Sequence, residues 1–251
     1  MSDRHFDELA THFANKIYGG AKGQIRLAVL QADLIEALPK KPLRVLDIGA
    51  GLGHMSLWLA GLGHDVTLAE PAAPMLEGAK AQFAEKNLNA TFIHKPWQAL
   101  EESVEGRFDV VICHAVLEWL ADPFSILPTL KALTAPEGWL SLAFYNQDAL
   151  TYRNLLKGNF NRAQQAHMPG QEGGLTPQRP IDPRALAMQL EGHWSIQSQS
   201  GVRVFHDYMP SPFQQKADRS ALVEMELAYR RHPSFMGLGR YLHWLCRPIE
   251  G

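Results

Sequence analysis

From residue 43 onward, short apolar runs alternate with segments of helix length, and this rhythm constrains the fold more than any other feature. Alternating strands and helices predict βαβ units, which place helices on both faces of a parallel sheet. The runs are nearly continuous in apolar residues, as is typical of strands buried on both faces. The predicted strands are 43–49, 64–70, 90–95, 108–115, 138–146, 194–205 and 240–247. The sequence therefore predicts an α/β fold with a mostly parallel, seven-stranded sheet.

Helical patterns flank this sheet and precede it. Apolar residues such as Phe6 and Phe13 recur at helical spacing in the opening segment, and the pattern resumes over 24–38. We therefore expect an N-terminal helical cap over residues 1–40. Over 151–183 the pattern dissolves, which predicts an insertion after strand five, either a functional excursion or a partly disordered loop. The remaining helices are predicted at 52–62, 74–87, 123–134, 184–191 and 217–231.

The composition excludes several classes of protein. Hydrophobic residues make up 46% of the 251 residues and charged residues 20%, unlike disordered, collagen-like or coiled-coil sequences. The opening MSDRHFDELA is charged throughout, and His114 and Glu118 interrupt the most apolar later stretch. We therefore expect neither a signal peptide nor a membrane span. Two cysteines, Cys113 and Cys246, are too few for a disulfide framework, so we expect a cytoplasmic protein.

The charge of the chain is distributed unevenly. Residues 1–150 contain 12 Lys and Arg against 18 Asp and Glu, whereas residues 151–251 contain 12 against 8. The balance is −6 in the first part and +4 in the second, which together give the net charge of −2. An anionic substrate is expected at the second part, unless these charges form only a solvated surface.

A glycine-rich turn directly follows the first predicted strand. Asp47 ends that strand, and Gly49, Ala50 and Gly51 belong to the turn that leads into a helix. Glycines here let the backbone approach a ligand, and the spacing G-x-G-x-G differs from the G-x-G-x-x-G of dinucleotide enzymes. Glu70 ends the next strand, where its carboxylate can accept hydrogen bonds from a ribose or remain an ordinary exposed group. We interpret this pair as a site for the adenosyl group of S-adenosylmethionine.

Further candidate contacts follow the third and fourth strands. Trp97 and Gln98 come after the third, where the indole can lie against a purine or simply pack, and the amide can bond the purine edge. His114 ends the fourth strand, and its imidazole is expected in the cleft or half-buried in the protein. No cluster of His, Asp or Glu has the spacing of a metal site, and no G-x-S-x-G turn occurs. These residues predict a metal-free ligand site at the carboxyl edge of the sheet.

Several motifs together resemble those of one family. The segments are IYGGAKGQIR, LDIGAGLG, HAVLEW, LAFYN, GVRVFHDY and LGRYLH. They are similar to segments of the bacterial tRNA 5-carboxymethoxyuridine methyltransferases, which have the Rossmann-like fold of S-adenosylmethionine-dependent methyltransferases. The resemblance weakens only over 154–183. It implies one methyltransferase domain over 1–251, with a cofactor-binding core at 41–150 and a substrate-binding excursion plus the last strands at 151–251.

The resemblance also implies an activity and roles for individual residues. The activity is methyl transfer from S-adenosylmethionine to the carboxylate of 5-carboxymethoxyuridine at the tRNA wobble position, giving a methyl ester. Arg26 would pair with the methionyl carboxylate of the cofactor, Glu70 would hold the ribose, and His114 would lie near the methionine portion. Trp97 and Gln98 would lie by the adenine. The residues expected at the cofactor are Arg26, Asp47, Gly49, Ala50, Gly51, Glu70, Trp97, Gln98 and His114.

Such a reaction makes few demands on catalytic groups. A substrate carboxylate has a pKa of about 4, so at neutral pH it is already the nucleophile and needs no general base. Catalysis then consists of placing its oxygen about 3–3.5 Å from the sulfonium methyl. The expected catalytic residues are Arg203, His206, Tyr208 and Tyr145, with Asn146 as a further donor. The alternative is that Arg203 is a surface charge and Tyr208 a core aromatic.

The segment after residue 150 favours a nucleic-acid substrate. Its cations Arg153, Lys157 and Arg162 are interleaved with Phe160, and we expect them to contact the anticodon stem-loop of tRNA. A methyltransferase acting on a quinone or fatty acid would instead have an apolar cover here. The sequence also leaves open carboxymethyl transfer from a carboxylated cofactor, and a noncatalytic module that binds an adenosyl group or RNA.

Overall fold

The computed structural model of the chain describes residue 3 and residues 20–165, 177 and 179–249. One seven-stranded sheet has the order β3-β2-β1-β4-β5-β7-β6. All neighbouring pairs from β3 to β5 are parallel, whereas β7 runs antiparallel to both β5 and β6. The strands are β1 Arg44–Ile48, β2 Asp65–Ala69, β3 Thr91–Ile93, β4 Phe108–His114, β5 Thr134–Tyr145, β6 Trp194–Val202 and β7 Tyr241–Pro248. The predicted mostly parallel sheet of seven strands is confirmed.

Helices cover both faces of this sheet, as predicted. The α-helices of the described residues are α1 Ala21–Ala37, α2 His54–Gly61, α3 Ala73–Glu85, α4 Leu127–Leu133, α5 Gln147–Leu156, α6 Phe160–Ala163, α7 Pro183–Leu190, α8 Ser211–Lys216 and α9 Arg219–Tyr229. Single 3₁₀ turns lie at Trp97–Ala99, Leu117–Trp119, His206–Tyr208 and Met236–Leu238. Of the predicted helical cap, α1 is observed, whereas its opening half with Phe6 and Phe13 lies outside the described residues.

Alternate residues of the strands build two separate apolar layers. On one face, Leu46 of β1 and Val111 of β4 pack in a cluster with α4 and α7. On the other, the preceding residues Val45 and Val110 pack in a cluster with α2 and α3. The two layers follow from the period of two in a strand, which sends successive side chains to opposite faces. Helix α1 extends the second layer over β5 and β7 through Leu30.

Two predictions about the elements after β5 need correction, and one short helix was missed. The prediction that regular structure is lost from residue 151 is wrong for its first part, because α5 continues to Leu156 and α6 follows. Asn146 caps the start of α5, because its side chain accepts a hydrogen bond from the Asp148 amide. Such a cap stabilises a helix whose sequence is largely polar. The helix predicted at 217–231 is observed as α9, which begins after the Asp218 cap, whereas the short helix α8 that precedes it was not predicted. Strand β6 ends at Val202, not at 205, because Arg203 has a positive φ of 62°.

Candidate active site

The glycine turn after β1 is held against the end of β2. The amides of Gly49 and Ala50 donate to the Ala69 carbonyl at 2.8 and 3.2 Å. Gly49 has a φ of +67°, and a Cβ there would lie 2.6 Å from a methyl carbon of Val116. A side chain is therefore excluded by both backbone conformation and space. The turn places its backbone at the carboxyl edge of the sheet, where ligands of such folds bind.

The Glu70 carboxylate links the glycine turn to the start of the segment that follows β2. Its Oε2 accepts the Gly51 amide at 2.8 Å, and its Oε1 accepts the Ala72 amide at 2.9 Å. The side chain is buried, so the alternative of an ordinary exposed carboxylate is wrong. An ionised carboxylate only accepts hydrogen bonds and offers about four acceptor sites on its two oxygens. The geometry thus suits a diol that donates to both oxygens.

Asp47 lies buried at the end of β1 beneath the same turn. Ser56 donates its hydroxyl hydrogen to Asp47 Oδ2 at 2.6 Å. Burial raises the pKa of Asp47 to about 7, and although the Ser56 hydrogen bond opposes the rise, the Glu70 carboxylate adds to it. Two carboxyl groups at one edge of the sheet make this region attractive to a cation.

One cavity collects most of the residues predicted to bind the cofactor. Its lining includes Arg26, Asp47, Gly49, Ala50, Gly51, Glu70, Trp97 and His114. The ninth predicted residue, Gln98, is exposed, and its amide donates to Asp3 Oδ2 at 2.7 Å instead of lining the cavity. Trp97 Nε1 also donates to Asp3 at 3.3 Å. Sequence reasoning missed Asp3, Lys95 and Tyr241, which line the cavity as well.

A second site, here called the basic cluster, consists of Arg203, Arg240, Tyr145 and Asp207. Asp207 Oδ2 lies 3.5 Å from Arg203 Nη2 and 3.7 Å from Arg240 Nε. The guanidinium of Arg240 lies over the Tyr145 ring, 4.6 Å from its centroid. One carboxylate therefore faces two largely buried guanidinium groups, which leaves surplus positive charge.

Three donors of the basic cluster lack acceptors among the residues that the structure describes. They are Arg203 Nε, Arg240 Nη1 and the Tyr145 hydroxyl, all of them buried. Burial raises the pKa of Tyr145, so its hydroxyl keeps its proton at neutral pH. Partial burial lowers the pKa of Lys22 in α1, and although Asp207 opposes this, the Arg203 guanidinium adds to it. Unpaired buried donors are costly, and an anion would satisfy them.

Tyr241 joins the two sites. It lines the cavity, and its ring lies 5.0 Å from the guanidinium carbon of Arg26. The guanidinium carbon of Arg203 lies 5.5 Å from the same ring centroid. The Tyr145 ring packs edge-on against it at 5.4 Å. The basic cluster is thus adjacent to the cavity, and the same aromatic ring contacts both Arg26 and Arg203.

The other predicted catalytic residues have structural partners. Tyr208 donates its hydroxyl hydrogen to the Leu238 carbonyl at 2.7 Å. His206 is buried, and its Nδ1 lies 3.2 Å from Asp207 Oδ1. Asn146 donates to the carbonyls of Gly237 and Gly239 at 2.9 Å each, so the expectation that it is a donor in the cleft is wrong. Of the predicted set, the structure leaves donors of Arg203 and Tyr145 for a ligand.

Two further features are absent from the described residues. No group of three or more His, Cys, Asp or Glu could hold a metal ion. Among the described helices, none has the length and apolar character needed to cross a membrane.

Comparisons with known proteins identify the family. The methyltransferase-domain family profile matches residues 23–193. The tRNA 5-carboxymethoxyuridine methyltransferase of Escherichia coli K12 is 41% identical over 254 residues, covering 98% of this chain and 97% of the relative. A ubiquinone biosynthesis O-methyltransferase of Psychrobacter cryohalolentis is 35% identical over 111 residues, 43% of each chain.

A solved structure agrees with this at the level of the fold. The magnesium protoporphyrin IX methyltransferase of Synechocystis PCC 6803, with bound S-adenosylhomocysteine, has a TM-score of 0.64 at 18% identity, covering 98% of this chain and 96% of that one. The match to the Escherichia coli relative extends over the whole length, whereas the ubiquinone-pathway relative matches less than half. The chain therefore belongs to the S-adenosylmethionine-dependent methyltransferases with a Rossmann-like fold and, among them, to the tRNA 5-carboxymethoxyuridine methyltransferase family.

Proposed function

We propose that this protein transfers the methyl group of S-adenosylmethionine to the carboxylate of 5-carboxymethoxyuridine at the wobble position of tRNA, giving a methyl ester. The relative that matches over the whole chain is named for this substrate. A tRNA substrate also agrees with the cytoplasmic location expected from the sequence. In this proposal the described helix α1 caps the cofactor-binding core at 41–150, and the part from residue 151 binds the substrate and contains the last strands.

The cavity lined by Arg26, Glu70 and His114 is the proposed cofactor site. The Glu70 carboxylate suits the two ribose hydroxyls, and the glycine turn allows close approach of the nucleoside. Arg26 provides a planar guanidinium that matches the methionyl carboxylate in bidentate geometry. Trp97 lines the same cavity and offers an indole face to the adenine. The Gln98 amide is bonded to Asp3, so in this proposal Gln98 lies beside the adenine without contacting its edge.

The basic cluster is the observation that carries the proposed substrate. Its surplus positive charge and its three unpaired donors suit a carboxylate, which would accept hydrogen bonds from Arg203, Arg240 and Tyr145. An uncharged quinone would leave these buried donors unpaired at a cost of about 1–3 kcal/mol each. His206 and Tyr208 have indirect roles in this proposal. His206 contacts Asp207 of the cluster, and Tyr208 donates to the Leu238 carbonyl near it.

Placement is the main contribution of the protein to the reaction. The bound cofactor supplies an electrophilic methyl group on a sulfonium, which leaves as a neutral thioether. Arg203 and Arg240 hold the carboxylate, which is ionised at neutral pH and needs no base to remove a proton. Fixing this group beside the cavity replaces a bimolecular encounter with an oriented one, an effect that can contribute several kcal/mol. Covering Tyr241 and the cavity with RNA would also exclude water from the reacting atoms.

Helix α5 and its continuation form the proposed RNA surface. Leu155, Leu156 and Phe160 are exposed, with Phe160 at 60% of its full accessibility. Exposed cations Lys157 and Arg162 lie on the same segment. Large exposed apolar side chains beside cations are typical of surfaces that stack bases and bind phosphates. We infer that this segment contacts the anticodon stem-loop while the wobble nucleotide reaches the basic cluster.

The decisive experiment is methyl transfer with purified components. The protein is incubated with S-adenosylmethionine and with tRNA that carries 5-carboxymethoxyuridine, and digested nucleosides are analysed by mass spectrometry. We expect the methyl ester with this tRNA and no product with tRNA that lacks the carboxymethoxy group. Methylation of an added quinone or fatty acid but not of tRNA would instead establish the small-molecule alternative, and transfer of a carboxymethyl group would appear as a different mass.

Kinetics of variants separates the two proposed substrate contacts. Arg203→Ala should lower turnover at saturating tRNA by about tenfold or more, because a charged hydrogen bond to the nucleophile is lost. Lys157→Ala should raise the KM for tRNA, while turnover at saturating tRNA should equal that of wild type. The slope of log affinity against log salt concentration should fall in magnitude by about one for each lost phosphate contact. Arg247, which lies over the Trp139 ring at the opposite edge of the sheet, provides the matched control as Arg247→Ala. Full activity of Arg203→Ala would remove the substrate carboxylate from the basic cluster.

A further inference from the structure

A buried chain of hydrogen-bonding groups runs from α1 across two strands to the cofactor cavity. Asp33 Oδ2 lies 2.8 Å from His243 Nδ1, and His243 Nε2 lies 2.8 Å from Ser141 Oγ. Ser141 Oγ in turn lies 2.8 Å from Nε2 of His114, which lines the cavity. Asp33, His243 and Ser141 are each no more than 1% exposed. We call these four residues the relay.

Asp33, at the end of the relay far from the cavity, determines which nitrogen of His243 carries a hydrogen. Arg230 Nε and Arg231 Nη2 contact Asp33 Oδ1 at 2.9 and 2.7 Å, so this carboxyl group is held as a carboxylate. Burial by itself would raise the pKa of Asp33, but the hydrogen bonds of His243 and Arg230 lower it to about 2. A carboxylate only accepts hydrogen bonds, and therefore His243 Nδ1 carries a hydrogen.

The charges around His243 determine the direction of the hydrogen bond between Ser141 and His243. The guanidinium groups of Arg230 and Arg231 face two carboxylates, Asp33 and Glu36, so their charges balance without His243. The imidazoles of His114 and His243 lie only 5.4 Å apart in the interior. A cation at His243 would have no further carboxylate among these groups, and an uncharged His243 with its hydrogen on Nδ1 leaves Nε2 as a bare acceptor. Ser141 has one hydroxyl hydrogen, which it donates to His243 Nε2.

The remaining step determines the tautomer of His114. Since the only hydrogen of Ser141 is committed to His243, His114 Nε2 has to be the donor to Ser141 Oγ. Burial and the neighbouring His243 and Arg26 lower the pKa of His114 well below its usual value, which keeps the ring neutral. Its Nδ1 is consequently a bare lone pair, and Nδ1 has no partner among the described residues.

We propose that Asp33, His243 and Ser141 are positioning residues that hold His114 in the Nε2–H tautomer, so that its Nδ1 accepts a hydrogen bond from the ammonium group of the cofactor's methionyl end. The opposite tautomer would direct an N–H at that cation and weaken its binding. Arg26, on the same cavity, would then take the methionyl carboxylate, so that each charged group of the amino acid meets its complement. This inference rests on the proposed function only in placing the cofactor in this cavity.

Nitrogen-15 NMR of protein labelled at histidine tests the tautomer directly. In the wild-type protein, His114 should show a protonated Nε2 and a bare Nδ1, and S-adenosylhomocysteine should shift the Nδ1 signal. The deamino analogue of S-adenosylhomocysteine, with hydrogen in place of the amino group, should leave that signal unshifted. A protonated Nδ1 at His114, or an equal shift with both ligands, would overturn the proposal without any variant.

Calorimetry on Ser141→Ala tests the dependence on the relay. This variant should bind S-adenosylhomocysteine about tenfold more weakly than wild type, the effect of one hydrogen bond to a charged group. Its affinity for the deamino analogue should equal that of wild type. Thr134→Val is the matched control, because it removes another buried hydroxyl of β5 that donates only to the Leu130 carbonyl.

The outcomes separate the relay from the proposed function. Equal affinity of Ser141→Ala and wild type for S-adenosylhomocysteine, or an equal loss for both ligands, would refute the relay. Failure of the wild-type protein to bind S-adenosylhomocysteine at all would refute the proposed cofactor site, while the NMR spectrum of the free protein would still decide the tautomer. Should Ser141→Ala not fold, the wild-type titrations with the two ligands decide the matter.

Discussion

Replacement of Glu70 by Gln tests whether this carboxylate holds both the glycine turn and the ribose. In the wild-type protein its two oxygens accept the amides of Gly51 and Ala72 at 2.8 and 2.9 Å. Gln keeps the shape but turns one oxygen into an amide donor, which then faces one of these N–H groups in either orientation. A buried donor left without its acceptor costs about 1–3 kcal/mol, and the free energy of unfolding should fall by that amount. Affinity for the cofactor should fall by about tenfold or more, because one hydroxyl of the ribose loses its acceptor.

Two measurements on Glu70→Gln separate these effects. Urea unfolding of the free protein reports the turn, and calorimetric titration with S-adenosylhomocysteine reports the ribose. Glu85→Gln, at the exposed end of α3, is the matched control and should change neither quantity. Lower stability with an unchanged dissociation constant would mean that Glu70 anchors the turn but does not touch the ribose. Unchanged stability would refute the reasoning from the two backbone amides.

Two further predictions concern Arg26 and Asp33. Arg26→Lys should weaken S-adenosylhomocysteine binding by about tenfold in calorimetry, since an ammonium cannot form the bidentate pair with a carboxylate, and an unchanged affinity would remove Arg26 from the cofactor site. The pKa of Asp33 is lowered from 3.8 to about 2, so its contribution to stability is complete above pH 3.8 and is lost as the pH falls toward 2. The difference of 1.8 pH units corresponds to about 2 kcal/mol, and urea unfolding between pH 5 and pH 2 should lose that much more stability in wild type than in Asp33→Asn. Parallel pH profiles of the two proteins would contradict this assignment.

The cofactor cavity could be predicted from the sequence because its signals are local. Strand, glycine turn and helix follow one another directly, and Glu70 lies at the end of the next strand. In a parallel sheet these carboxyl ends meet at one edge, so short segments suffice to predict a shared site. Gln98 departs from the prediction because its amide bonds to Asp3, a residue far away in the sequence.

The basic cluster could be predicted only in part, because it depends on distant segments. Arg203 belongs to a recognisable motif, but the orientation of its side chain depends on its positive φ, which ends β6. An arginine does not by itself indicate a positive φ, so the sequence could not predict this. Arg240 joins it only through the antiparallel pairing of β6 with β7. Asn146 follows a strand end, and this position favours a hydrogen-bond donor in the cleft. The same position is also the start of α5, where an asparagine side chain is equally suited to capping the helix.

The relay has a weak sequence signal that becomes meaningful only with the topology. Ser141 and His243 are polar positions inside apolar runs of β5 and β7. The register pairs Ala143 with both His114 and His243, which brings the two imidazoles to opposite sides of one strand. Asp33 reaches them from α1, 210 residues away from His243 in the sequence. A polar residue within a buried strand needs a partner, and the sheet order decides which partner it meets.

The arrangement around Tyr241 explains how a protein of the proposed function would keep two carboxylates apart. Cofactor and substrate each bring one such group to the same sulfonium, and either could in principle bind at the other's cation. The Tyr241 ring contacts both guanidinium groups, with its centroid 5.0 Å from the guanidinium carbon of Arg26 and 5.5 Å from that of Arg203. Each anion therefore has its own guanidinium, and cation–π contact holds both side chains in place before either ligand binds. Tyr241→Leu should accordingly allow inhibition of methyl transfer by excess free carboxylate, because the ring would no longer hold either guanidinium group in place.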